Sequence, residues 1–313
     1  MPMSHVFPHR HLLDIARLSK ADIETVLTLA AHYAAQNRTD DKKSDKWRGK
    51  TIVTLFFENS TRTRSSFEIA AQRLGADVIT MPVEHSSTKK GETVLDTALT
   101  LDAMQIDALI VRHSQDGVPE MLASHLKAPV INAGDGKHEH PTQGLLDALT
   151  ILRHKKTLEG LTLAYCGDLL HSRVAGSIIQ LMSKYGCKIR AAAPPALLTQ
   201  KFKSLGVETF DSLEEAIQGA DVVMTQRIQR ERLGENEFNM SADDYHRRYG
   251  LDHAKLAGAK PDVIVMNPGP VMRGVEITSE LADDPKYSVI REQIEMGVAV
   301  RMAVMDLLLS NRG

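Results

Sequence analysis

Apolar side chains at Ile23, Val26, Leu27, Ala30 and Ala34 recur at helical spacing and predict a helix over residues 20–36. The polar run from Asn37 to Lys46 then predicts a loop. From Thr51 to Phe57 the pattern changes to an unbroken apolar run rich in β-formers, which suits a strand buried on both faces. A helix follows from about Thr61 to Leu74, and Gly75 stands where a helix stops. Ala76 to Met81 reads as the next strand, Val94 to Met104 as a helix and Ala108 to Arg112 as a further strand.

The alternation then restarts. Pro141 to His154 predicts a helix, with proline at a first helical position. Leu161–Cys166, Cys187–Ala192, Asp221–Thr225 and Val263–Met266 read as strands; Val174–Tyr185 and Leu213–Gln218 read as helices. The last stretch, Ile290 to Leu309, is a long helix with no strand after it. Strands alternating with helices predict parallel sheets. The expected class is therefore α/β, with two doubly wound parallel-sheet domains joined by helices.

Length agrees, because 313 residues exceed what one small core needs and suit two linked domains. A formal net charge of −2 gives no global field toward nucleic acid or an anionic membrane, so neither is expected as a partner. Any anion must then be held by local groups, which raises the interest of each arginine cluster. Cys166 and Cys187 form no CxxC spacing and are expected to be two buried, reduced thiols. Met1 to Lys20 has no apolar signal core, and no stretch reaches the ~20 apolar residues of a membrane span. A cytoplasmic location follows as the expectation.

The strongest local signal is FENSTRTR, residues 57–64, where a parallel strand gives way to a helix. Ligands of open α/β sheets bind at the carboxyl ends of strands, and a helix start offers unpaired N–H groups to phosphate. Here three hydroxyls (Ser60, Thr61, Thr63) and two guanidinium groups join those N–H groups. Plain N-capping with solvated arginines is the competing reading. A P-loop is ruled out, because GxxxxGK[ST] is missing. A second cluster, His140-Pro141-Thr142-Gln143, puts His140 and Gln143 three residues apart at a helix start. The dipole there favours a neutral imidazole that donates to a carbonyl oxygen. His138-Glu139-His140 lacks HExxH spacing and is not a metal motif, and His5, His9 and His11 are expected to be solvated, or at most adventitious metal ligands. The loop SSTKKGET (86–93), Arg112-His113, Gly167-Asp168 with Arg173, RIQRER (227–232) and Asn267-Pro268-Gly269-Pro270 complete the candidates. Gly167-Asp168 has no GxGxxG spacing and does not read as a dinucleotide site.

In this order, FENSTRTR, SSTKKGET, VRH, HPTQ, Arg173, RIQRER and NPGPVMRGVEI resemble the catalytic chains of aspartate carbamoyltransferases, within the aspartate/ornithine carbamoyltransferase superfamily. The resemblance runs from about Phe56 to the C-terminal helix. STRTR with HPTQ marks the superfamily, and SSTKKGET with RIQ marks the aspartate branch.

The resemblance implies transfer of the carbamoyl group of carbamoyl phosphate to L-aspartate, early in pyrimidine biosynthesis, with no cofactor. Residues 1–141, with the C-terminal helix about 291–313, would form the carbamoyl phosphate-binding domain, and 142–290 the aspartate-binding domain. Ser60, Thr61, Arg62 and Thr63 would hold phosphate, and Arg62 would stabilise it as it leaves. Arg112, His140 and Gln143, with Thr63, would hold the carbamoyl end, touched also by backbone at Gly269 and Pro270. Arg173, Arg227 and Gln229 would bind aspartate. Ser86 and Lys90 would enter from a neighbouring subunit, Lys90 reaching the aspartate, which makes a homotrimer with shared active sites. The two domains would carry one substrate each and close on both. Regulatory or dihydroorotase-like chains are possible further partners. Asn267 stands where the family commonly has His, Met272 where it has Asn, and His138-Glu139 before HPTQ is unusual. An ornithine-type enzyme would show an SMG-type loop and a Cys beside the carbamoyl site, and this sequence has neither. A catalytically silent assembly partner would have lost an arginine or the HPTQ histidine, and none is lost. A generic nucleotide-binding protein would carry the missing glycine fingerprint.

Overall fold

The structure is a computed structural model that describes residues 6–81, 91–233 and 238–311. The chain divides into two compact units, Met1–Leu149 with Glu295–Gly313, and Thr150–Ile294. The division falls inside two helices rather than in loops.

The first unit contains α1 (Lys20–Gln36), β1 (Thr51–Phe56), α2 (Thr61–Arg73), β2 (Asp77–Met81), α3 (Val94–Ala103), β3 (Ala108–His113), α4 (Val118–Ala123), β4 (Val130–Asp135) and most of α5 (Pro141–Lys155). Its four strands are all parallel and lie in the order β2-β1-β3-β4. Val53, Leu55, Leu109, Val111 and Val130 from three strands pack with Ala98 and Leu101 of α3 and Leu122 of α4. The apolar run of β1 is buried from Ile52 onward, as a central parallel strand requires. Gly75 ends α2 with φ +84°, and a Cβ there would meet the Ser44 carbonyl oxygen at 2.4 Å.

Neither α4 nor β4 is legible in the hydrophobic pattern. β4 reads VINAGD, poor in β-formers after its first two residues, yet all six residues are buried. It is a strand because β3 pairs with it on one side and the N-terminal segment on the other. Leu12 N–H donates to Val130 O (3.0 Å) and Asn132 N–H donates to Leu12 O (2.9 Å). This contact corrects the expectation of solvated histidines at 9 and 11. His11 Nδ1 accepts from Val130 N–H at 3.0 Å, and His9 Nε2 lies 3.0 Å from Asp22, the carboxylate of the α1 capping box. His5 lies outside the described residues.

The second unit contains β5 (Thr162–Gly167), α6 (Arg173–Lys184), β6 (Lys188–Ala192), β7 (Glu208–Phe210), α7 (Leu213–Ile217), β8 (Val222–Gln226), α8 (Ala242–Tyr249), α9 (His253–Leu256), β9 (Ile264–Met266) and α10 (Ser279–Ala282). Its five strands are again all parallel, in the order β7-β6-β5-β8-β9. Ala164, Cys166, Val223 and Val265 pack against Leu213, Ala216 and Ile217 of α7, Leu256 of α9 and Leu281 of α10. β7, with three residues, and α8 escape the sequence pattern. The α8 sequence ADDYHRRY carries charge at half its positions and is held by burial of Tyr245 and Tyr249, by the Ser241 cap and by the contact of His246 Nδ1 with Val275 O (3.0 Å).

The last helix, α11 (Ile290–Ser310), returns the chain to the first unit. Its buried Asp306 accepts from Tyr33 Oη (2.7 Å), Lys46 Nζ (2.7 Å) and Trp47 Nε1 (2.9 Å). Hydrogen bonds to a charged group contribute roughly 1.5–3 kcal/mol each, so these three anchor the helix to α1 and its following loop. The thiols differ from expectation in one respect. Cys166 is buried, but Cys187, one residue before β6, is only half-buried and donates to Leu158 O at 3.0 Å. Burial pushes the Cys166 thiol up to about 12 and the Cys187 thiol to about 11, away from thiolate reactivity.

Candidate active site

In a parallel sheet, the place where strand order reverses opens a crevice at the carboxyl ends of two neighbouring strands. In the first unit the chain winds from β1 to β2 on one side and from β3 to β4 on the other, so the reversal lies between β1 and β3. β1 runs into the FENSTRTR segment, and Arg112 is the register partner of Phe56, the last residue of β1. Two candidate groups far apart in sequence are thus brought to one strand end.

Ser60 takes the N-cap position of α2, but its side chain makes no capping hydrogen bond. This separates it from Ser19, Thr93, Ser172, Ser212, Ser241, Asp252 and Thr278, each of which caps its own helix. Ordinary capping therefore does not account for Ser60, and the positive end of a 13-residue helix is left without a hydroxyl cap. Thr61 and Arg62 are exposed there, whereas Thr63 is buried. Arg112 is held at the crevice by an ion pair with Glu58 (Nε to Oε2, 3.2 Å) and by donation to Ala133 O (3.3 Å).

His140 comes from the other side of the sheet, one residue before α5. It is 3% exposed, with Nε2 at 3.5 Å from Thr63 Oγ1 and Nδ1 at 3.5 Å from Thr142 Oγ1. Both contacts lie at the long limit of hydrogen bonding. Gln143, next on the same helix face, donates to Asp147 at 2.9 Å. The first unit thus joins Ser60, Thr61, Arg62, Thr63, Arg112, His140 and Gln143 within one fold. His113 belongs elsewhere. It is buried, packs its ring against Phe57 (centroids 4.9 Å apart), and its Nδ1 accepts from Gln115 N–H. Burial holds it below the usual imidazole range, against the opposing charges of Glu58 and Asp135. The unusual Glu139 is wholly buried and accepts from Ile15 N–H at 2.8 Å, a structural task.

The second unit repeats the geometry. Its reversal lies between β5 and β8, whose last residues Gly167 and Gln226 are register partners. Gly167 has φ +130°, and a Cβ there would lie 2.1 Å from the Gln226 carbonyl oxygen, so only glycine permits this approach. Arg173 opens α6 after β5, and Arg227 follows β8 directly. Asp168, 0% exposed, ties the two segments together: it accepts from Gln229 N–H (3.1 Å), His171 N–H (3.0 Å) and His171 Nδ1 (3.1 Å). The RIQRER arginines divide. Arg232 donates to His171 O (2.9 Å) and Arg230 to Met240 O (3.3 Å), whereas Arg227, at the strand end, donates to the adjacent Ile228 O (3.3 Å).

Asn267 organises the turn after β9. Its Oδ1 accepts from Gly269 N–H (2.7 Å), and its Nδ2 donates to Thr225 Oγ1 (2.9 Å) and Glu276 Oε1 (3.4 Å). The amide thus uses two donors and one acceptor, one donor more than a neutral histidine has. Burial pushes the Glu276 carboxyl up, opposed by hydrogen bonds from Met272 and Asn267 and by the Arg227 charge. The Gly269–Pro270 peptide is cis, and Pro270 is exposed. Met272 is 48% exposed and fills no core position. Ser86 and Lys90 lie outside the described residues.

Residues 10–153 match the family described as aspartate/ornithine carbamoyltransferase, carbamoyl-P binding domain, and residues 159–308 match its Asp/Orn binding domain. This chain belongs to the aspartate/ornithine carbamoyltransferase family. Within the family it is 56% identical over 306 residues to the aspartate carbamoyltransferase catalytic subunit of Parvibaculum lavamentivorans, covering 98% of this chain and 93% of that protein. It is also 56% identical to the catalytic subunit of Rhodospirillum centenum, over 96% of this chain and 95% of that one. Among solved structures, aspartate transcarbamoylase from Trypanosoma cruzi in complex with carbamoyl phosphate and aspartate is similar at TM-score 0.85 and 33% identity, covering 96% of each chain. The same enzyme in complex with N-(phosphonacetyl)-L-aspartic acid is similar at TM-score 0.81 and 34% identity, over 96% of this chain and 94% of that one. Both carbamoyltransferase domains of this chain therefore have the parallel-sheet α/β fold expected from its alternating pattern.

Proposed function

We infer that this chain is an aspartate carbamoyltransferase catalytic subunit that forms N-carbamoyl-L-aspartate and phosphate from carbamoyl phosphate and L-aspartate. The observation that carries the reading is the uncapped start of α2 at the β1/β3 reversal, facing the same crevice as Arg112 and His140, in a chain 56% identical to named catalytic subunits. In this proposal residues 1–141 with about 291–313 bind carbamoyl phosphate, and 142–290 bind aspartate. Ser60, Thr61, Arg62 and Thr63 take the phosphate with the α2 N–H groups. Arg62 supports its departure with the bidentate fork that phosphate matches. Arg112, His140 and Thr63 donate to the carbonyl oxygen, where negative charge grows as the aspartate amine attacks the carbamoyl carbon. The new C–N bond forms, the C–O bond to phosphate breaks, and the proton that the amine loses ends on the departing phosphate. Gln143 and the backbone at Gly269 and Pro270 orient the carbamoyl group. Arg173, Arg227 and Gln229 neutralise and align the aspartate carboxylates, so that much of the rate comes from positioning two anions.

The same proposal includes a homotrimer in the cytoplasm, with Ser86 and Lys90 supplied by a neighbouring subunit. Two free, high-pKa thiols suit a reducing compartment. No helix among the described residues is long and apolar enough to cross a membrane. The deciding experiment offers purified protein carbamoyl phosphate with aspartate, ornithine and other amines, alongside a native mass measurement. Aspartate is expected to be carbamoylated and ornithine not; faster reaction with ornithine overturns the reading. The mass measurement reads out the trimer and any regulatory or dihydroorotase-like chain bound to it.

A further inference from the structure

Tyr165 sits in the middle of the central strand β5 with 0% exposure. A phenol buried so deeply needs partners for its hydroxyl. Its oxygen lies 3.0 Å from Ser172 Oγ and 3.2 Å from Gln226 Oε1. The phenol has one hydrogen, and a carbonyl oxygen can only accept, so that hydrogen goes to Gln226 and Ser172 donates to the phenol oxygen. Ser172 Oγ in turn accepts from Ala175 N–H at 3.1 Å as the N-cap of α6. The chain of bonds has one direction and no idle hydroxyl.

The two ends of this chain matter for the site. Ser172 immediately precedes Arg173, and Gln226 immediately precedes Arg227. One hydroxyl thus links the residues that carry the two arginines proposed to face the aspartate carboxylates. The Asp168 bonds to His171 and Gln229 make a second tie between the same segments, so the backbone there is braced on two levels. Backbone alone does not set the gap between two guanidinium groups, whose long side chains amplify any shift at their roots.

We propose that Tyr165 is a positioning residue that sets the separation of Arg173 and Arg227 and thereby the length of dicarboxylate this unit accepts; the inference rests on the aspartate reading above. Misplacement of a binding group by about 1 Å can cost on the order of a hundredfold in rate, so a small splay between the arginines is felt. A four-carbon dicarboxylate loses contact when the gap widens, and a five-carbon one gains it.

The test compares wild-type enzyme with Tyr165→Phe, which keeps the ring and removes the hydroxyl. Aspartate KM is expected to rise about tenfold with carbamoyl phosphate KM unchanged, and the preference for aspartate over glutamate in kcat/KM to fall by about fivefold or more. Gln226→Met, which keeps size but drops the acceptor, is expected to shift the same preference, and the double variant to be no worse than either single one. Should Tyr165→Phe fail to fold, Gln226→Met carries the comparison. Unchanged aspartate KM and unchanged length preference in the folded variants overturn the proposal. Equal losses toward both substrates overturn it too, since they mark general damage. Wild-type protein that does not carbamoylate aspartate sinks the parent reading, and this inference with it.

Discussion

Arg62 and Arg112 stand at the same crevice under different restraint. Arg112 is three-quarters buried or more along its side chain and is pinned by Glu58 and the Ala133 carbonyl, while Arg62 is exposed on the first turn of α2. In the proposed mechanism the restrained arginine donates to the carbonyl oxygen, and the exposed one follows the departing phosphate. Arg62→Ala is accordingly expected to lower kcat by 10²–10³, roughly 3–4 kcal/mol of transition-state stabilisation by comparison with single-donor losses elsewhere. Arg62→Lys is expected to recover little of it, because the planar fork is gone. Steady-state kinetics under saturating substrates measure both, and near-normal turnover in either variant would place the phosphate elsewhere. The histidines teach a related lesson at this scale. Of His9, His11, His113, His138, His140 and His171, only His140 has its ring between two hydroxyls at the crevice; the others sit on a backbone group or a carboxylate.

Among the elements, β4 shows how a strand arises without β-forming residues. Its outer edge is covered by the segment at 11–13, with His11 as one of the clasps, so the sheet presents no bare edge there. Burial first, and then the neighbouring Arg10, lower the His11 imidazole to about 4. The ordinary value in an unfolded chain is about 6.5. Between those values the unfolded state binds more protons than the folded one, so stability rises with pH through that window. The contribution is complete above about 6.5 and is lost progressively as pH falls toward 4. Protonation at Nδ1 also removes the acceptor that Val130 N–H uses. His11→Asn keeps an acceptor and cannot titrate, so the decline in melting temperature between pH 6.5 and 4 is expected to be shallower in that variant. Identical slopes for wild type and variant would remove His11 from the account.

For the whole molecule, the proposed sharing of sites makes a prediction that no single chain can satisfy. If Lys90 of one subunit completes the site that holds His140 of the next, Lys90→Ala and His140→Ala are each nearly inactive as pure assemblies. Mixed and reassembled, some interfaces pair an intact His140 with an intact Lys90. Random trimers are expected to regain roughly a quarter of sites, because each of the two contributing chains is intact about half the time. Mass-tagged hybrids show that subunits exchanged. Hybrids that form and stay at parental activity would exclude Lys90 from acting across the interface.

Local information was enough for elements whose pattern is internal to them. The unbroken apolar run TIVTLF points to a central parallel strand, the stripe of α1 to a helix, and FENSTRTR and HPTQ to the family to which the chain belongs. Local information was not enough wherever a residue's part is assigned by a partner far along the chain. VINAGD is a strand because of β3 and residues 11–13, and the RIQRER arginines divide because Arg232 and Arg230 reach carbonyl groups outside the motif, at His171 and Met240, while Arg227 donates to its neighbour Ile228. Strand order, too, is a tertiary choice. Either sheet could be wound with its reversal elsewhere, and it is the β1/β3 and β5/β8 adjacencies that bring Ser60 to Arg112 and Arg173 to Arg227. A hydroxyl such as that of Tyr165 shows the same division: the sequence marks it as an apolar strand position, and only packing decides which two segments it ties, because a hydrogen bond is set by distance in space rather than by separation along the chain.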